Sequence, residues 1–144
     1  MQEFKGAVLF NKAVSINGGL SIDGNVKGDA KFDSGTVDIQ DGGSVTQDTN
    51  RTNGVTLNKL TGQVEGDDTS LGAVTIATHT VTNSTVGAND VVIISKVSGD
   101  PDTSCWVDAV TNGSFNVAIR NNHASGADTT AFIYNFVVIK GSNS

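Results

Sequence analysis

One cysteine, Cys105, stands in 144 residues, so no disulfide can close within the chain. It lies beside Trp106 in a stretch that reads as a strand, which predicts a small buried apolar residue and not a reactive thiol. Proline is equally scarce. Pro101 is the only one, and Asp100-Pro101-Asp102 reads as a turn outside any strand. Charged residues make up 17% of the chain, against about a quarter in an ordinary soluble protein, which leaves solubility to Ser, Thr, Asn, Asp and Gly. Basic side chains are the rarer sign, and the net charge of -6 argues against nucleic acid as a partner, because neutralising phosphates requires clustered Lys and Arg. Apolar runs such as Val91–Ile94 are only a few residues long, too short for a membrane-spanning helix. Met1–Phe10 joins no basic region to an apolar run of signal-peptide length, so the expectation is synthesis in a cytoplasm without secretion. Nowhere does an apolar period of 3.6 last three turns, which excludes a helical core.

Chemistry-bearing patterns are missing too. His79 and His123 share no metal-ligand spacing and belong to no nucleophile motif, and exposure or local hydrogen bonding is expected of both. Glu65, Asp67 and Asp68 read as a solvated acidic turn, since two catalytic carboxylates need opposed environments. Asp33, Asp38 and Asp41 lack the spacing of a calcium loop. Ile16-Asn17-Gly18-Gly19 lacks the lysine and helix of a phosphate-binding loop. The expectation is therefore a protein that is not an enzyme and carries neither cofactor nor metal. Asn50-Arg51-Thr52, Asn83-Ser84-Thr85 and Asn112-Gly113-Ser114 fit the glycosylation triplet, read here as coincidences of an Asn- and Thr-rich chain.

What the sequence does contain divides near Gly43. In residues 1–43 an apolar pulse, Ala7-Val8-Leu9-Phe10, precedes a regular spacing: Val14, Leu20, Val26 and Phe32 are six residues apart, and Ile16 and Ile22 repeat the step. Asn-Gly and Asp-Gly pairs between them predict tight turns joining very short strands. Such rungs cannot order themselves. Fixing each residue costs about 1–2 kcal/mol of backbone entropy, while one apolar side chain per rung returns about 1.5–3 kcal/mol on full burial. The leader is expected to order only against other copies or another protein, or else to extend the sheet of the main domain.

The stretch Gly43–Val64 supplies Gly43, Val45, Thr46, Gln47, Thr49, Val55, Leu57, Asn58, Gly62 and Val64 in a pattern that resembles a motif of tailed-bacteriophage structural proteins. Asn135-Phe136-Val137-Val138-Ile139-Lys140 is similar to the end of the same domain. The resemblance covers Gly43–Gly141 and looks like the β-domain of capsid decoration (cement) proteins. It implies a small β-sandwich, commonly trimeric, on the outer capsid surface and bound to the major capsid protein.

Residues 44–144 read as all-β, a small antiparallel sandwich or jelly-roll-like domain with strands 8–12 residues apart. Val74 and Ile76 alternate before a phase slip ahead of His79 and Val81, which predicts a bulge or a short connection. Val91–Ile94 reads as a strand covered on both faces. Trp106 and Val110 fall on one face, and Phe115, Val117 and Ile119 alternate cleanly after Asn112-Gly113. In the last strand Phe132, Tyr134, Phe136 and Val138 face one way and Ile133, Val137 and Ile139 the other, as in a central strand or a subunit interface. On this reading Leu20, Val26, Phe32, Val45, Phe136 and Val138 form a trimer interface. Phe4, Val8, Leu9 and Phe10 either anchor the shell contact or simply begin the first strand. The alternative role is a phage tail or head fibre component that binds a host surface receptor through the polar loop Arg120–Thr130.

Overall fold

A computed structural model of the chain describes residues 42–141. The leader repeat, with Phe4, Val8, Leu9, Phe10, Leu20, Val26 and Phe32, lies outside the described residues. Eight strands follow: β1 (Ser44–Thr46), β2 (Val55–Thr56), β3 (Thr61–Glu65), β4 (Ile76–Thr82), β5 (Val91–Ser98), β6 (Thr103–Thr111), β7 (Ser114–Asn121) and β8 (Ile133–Ile139). They form two four-stranded sheets, sheet A in the order β1-β3-β8-β5 and sheet B in the order β2-β4-β7-β6, packed into a sandwich without helix among the described residues.

The sheets are mixed, where purely antiparallel pairing was expected. β1 pairs with β3 and β2 with β4 in parallel, while the remaining pairs are antiparallel. The motif stretch explains the exception. From β1 in sheet A the chain crosses to sheet B for β2, returns to sheet A for β3, and crosses again for β4. A hairpin enforces antiparallel pairing; two crossings do not.

The core lies between the sheets. Val64, Val92, Tyr134, Phe136 and Val138 of sheet A meet Val55, Ala77, Val81, Phe115, Val117 and Ile119 of sheet B. Strand β7 keeps the expected period of two, and Asn112-Gly113 closes a two-residue hairpin between paired Thr111 and Ser114, with Gly113 at φ 81°. Elsewhere the phase differs from the sequence reading. β4 runs without a bulge, and its inward set is Ala77, His79 and Val81. Val74 and Ile76 face solvent instead, with Val74 in a turn at φ 58°. The irregularity sits in β6, between Val107 and Ala109. It lets Cys105, Val107 and Val110 all pack on the core while Trp106 points outward. β5 is an edge strand covered on one face only, with Val92 buried and Val91 and Ile93 exposed.

The connections are built from Asx turns, in which an Asn or Asp side-chain oxygen accepts the amide two residues on. Six recur: Asn50–Thr52, Asp67–Thr69, Asn83–Thr85, Asp100–Asp102, Asn121–His123 and Asp128–Thr130. Two of the three glycosylation-like triplets are such turns, and in both the threonine hydroxyl donates to the same asparagine oxygen. Asn83 is fully buried.

Candidate functional site

Two features rise above ordinary packing: a buried polar cluster at one end of the sandwich, and the outer face of sheet A.

The cluster begins in the motif stretch. Gln47, just after β1, is buried; its side chain donates to the Asn53 carbonyl and accepts the Asp67 amide. This fixes the loop that delivers Arg51 into the molecule. The Arg51 guanidinium donates to the carbonyls of Thr69, Asp128 and Thr130 and pairs with the Asp128 carboxylate at 3.3 Å, both side chains being almost fully enclosed. Asp128 also accepts the Thr130 amide and the Thr103 hydroxyl. Asn121, equally buried, donates to the carbonyls of Leu71, Gly72 and Gly126. Beside the cluster opens a cleft of about 260 Å³ between the 50–52 turn, residues 69–71 and the start of β4. Its only ionisable lining residue, Arg51, is committed to carbonyls and a carboxylate of the chain itself. The arrangement works as a clamp holding three loops together.

The histidines separate. His79 is 2% exposed, and its Nε2 shares a 2.7 Å hydrogen bond with the Tyr134 hydroxyl of the opposite sheet. Burial pulls its pKa down to about 4 and pushes that of Tyr134 up, so both are neutral near pH 7. His123 is exposed and accepts the Ser125 and Gly126 amides through Nδ1. Burial raises the Cys105 thiol, which opposes thiolate formation. Asp90 accepts Lys140 and the Gly87 and Gly141 amides, which hold its carboxyl down at about 2. No group of three or more metal-ligating side chains occurs among the described residues.

Of the residues assigned to a trimer contact, Phe136 and Val138 are each 3% exposed and enclosed between the chain's own sheets, with Phe136 against Phe115 at 5.3 Å between ring centroids. They could meet another subunit only if the sandwich opened. Val45 is half-buried and packs on the same core. It is the other face of β8 that points outward. There Val137 lies beside Ile93, and Ile139 beside Val91, in register. Val91, Ile93 and Ile139 are each about half exposed, at 55%, 50% and 49%. The alternation of the last strand could be read from sequence, but which of its faces met the second sheet could not. Arg51 carries no periodic signal, and its carboxylate lies 77 residues away.

No protein family, curated protein or solved structure matches the chain.

Proposed function

We propose that the chain is a structural component of a bacteriophage virion, a capsid decoration (cement) protein without enzymatic activity. It would bind the major capsid protein on the outer capsid surface as a homotrimer and stabilise the shell. The phage setting rests on the pattern from Gly43 to Val64. The observation that carries an assembling role is the set of exposed aliphatic side chains on one outer sheet face, Val91, Ile93 and Ile139, where a solvated sheet normally alternates to polar residues. Stabilisation follows from mass action. A protein that binds only the assembled shell adds its binding free energy to shell stability, and three linked contacts multiply the affinity of one. Phe4, Val8, Leu9 and Phe10 are assigned as shell anchors in this scheme.

Protein counting on purified virions tests it. A decoration protein is present in about as many copies as the lattice has sites, hundreds per particle, whereas a handful would replace this reading with the fibre and receptor reading. Deleting Met1–Lys12 should weaken binding to empty shells by at least about tenfold, the scale of an anchoring cluster. Unchanged binding would remove the anchor assignment.

A further inference from the structure

We propose that the outer face of sheet A, centred on Val91, Ile93, Val137 and Ile139, is the surface through which copies of this chain meet. The inference rests on the assembling role above and adds where the contact lies and what covers it.

The four side chains form a block because Val91 is in register with Ile139 and Ile93 with Val137, and all four occupy outward positions of neighbouring strands. Val91, Ile93 and Ile139 are each about half exposed and Val137 is partly exposed, so the four make a contiguous aliphatic patch of the kind that marks a contact surface. Around the block the same face is polar but uncharged: Thr61 and Gln63 on β3, Ser95 on β5 and Asn135 on β8. An apolar centre with a polar rim is the ordinary anatomy of a protein contact.

Charge selects the occupant. The chain carries a net charge of -6, so two copies repel unless they meet where that charge is absent. Along β3, β5 and β8 the only charge at an outward position is Glu65. It lies in register with Ile133, at the opposite end of β8 from Ile139. A strongly charged partner finds only Glu65 and, at the rim, Lys96 and Lys140, and both lysines are already held by carbonyls and a carboxylate of the chain itself. A second copy brings a nearly neutral face of the same kind. The rim amides Gln63 and Asn135, joined at 3.0 Å, each carry donors and acceptors, so they can serve either side of a contact between copies. The block also sits at the margin of the sheet, on edge strand β5 and its one neighbour among the described residues. A patch at a margin can approach a rotation axis in all copies at once.

The test uses the full chain and measures mass by chromatography with light scattering from about 1 to 100 µM, because assembly is concentration-dependent. The wild type should have three times the 14.8 kDa of one chain. Ile93→Lys should reduce it to a single-chain mass with the circular dichroism and melting cooperativity of the wild type. Ile76→Lys, an equally exposed isoleucine of sheet B at 52%, should leave it trimeric. If Ile93→Lys remains trimeric, this face is not the contact, although the trimer itself stands. If the wild type is a single chain throughout, both the trimer and this inference fail. Hydrogen exchange on the unsubstituted protein decides the question should the variant misfold. Amides of β5 should exchange at least tenfold faster on dilution to single chains while those of β6 do not change, and concentration-independent exchange in β5 would overturn the proposal.

Discussion

At the scale of single residues His79 is an electrostatic liability. Its imidazole lies in the intersheet core, where its Nε2 meets the Tyr134 hydroxyl and its Nδ1 has no hydrogen-bond partner. The folded protein holds it neutral, with the pKa lowered from 6.5 to about 4. Below pH 6.5 the unfolded chain takes up a proton that the folded chain refuses until about pH 4, so stability falls as pH drops through this window. The shift corresponds to about 3 kcal/mol. Denaturant midpoints measured at intervals from pH 7 to 4 should decline, and His79→Gln should flatten the decline whatever its effect at pH 7. Two hydrogen-bonded carboxylates titrate below the window. Asp90, held at about 2 by Lys140 and two amides, and Asp67, lowered by Thr69, stay ionised through it and lose their contribution only at more acid pH. An undiminished slope in the variant would show that another group titrates.

At the scale of elements, the stretch from Gly43 to Val64 is an architectural device. Val55 and Val64 fill the core from opposite sheets, Gln47 ties the first crossing to residues 53 and 67, and Asn58 accepts the Ser84 amide. Gly62 has a steric reason. A Cβ there would lie 2.5 Å from Leu57 Cδ2 and 2.8–2.9 Å from the Phe136 ring. Leu57 is half-buried and can yield, but Phe136 is wedged against Phe115. Gly62→Ala should therefore cost about 1–3 kcal/mol by overpacking, read as a lower denaturant midpoint. Gly72→Ala, whose Cβ would meet nothing closer than 3.6 Å, should be nearly neutral.

The same elements show what the sequence makes legible. Strands such as β7 and β8 announce themselves because one face must be apolar, and alternation survives in any context. Three things escape this logic. β1 and β2 are three and two residues long, too short to carry a period, so their parallel pairing is set by the crossings. The bulge in β6 reverses the phase between Trp106 and Val110 with no glycine or proline to mark it. The run Val91–Ile94 reads the same whether its second face is covered by the chain or left to solvent, and here it is left to solvent. The buried cluster escapes for another reason: Arg51 and Asp128 are single charges in polar loops, and only the fold brings them to 3.3 Å.

At the scale of the whole molecule, that pair decides how one end of the sandwich holds. Arg51 stands on the crossing between sheets, Thr69 on the connection from β3 to β4, and Asp128 and Thr130 on the connection from β7 to β8. Leu71 and Asp128 exchange backbone hydrogen bonds beside them. One guanidinium thus ties the crossing to two connections that are themselves bridged through Leu71 and Asp128. Replacing both charges of a buried pair is often close to neutral, whereas removing one strands the other. Arg51→Met leaves the Asp128 carboxylate enclosed with only neutral donors, Thr103 and the Thr130 amide. It should cost about 3–5 kcal/mol. Adding Asp128→Asn removes the stranded charge and should recover part of that loss, but not all, because the carbonyls of Thr69 and Thr130 still lose their donor. Equilibrium denaturation of the two single variants and the double variant gives the coupling between them. A coupling below about 0.5 kcal/mol, the level expected of independent sites, would mean that the loops at this end are held by their Asx turns and backbone bridge, with the ion pair adding nothing.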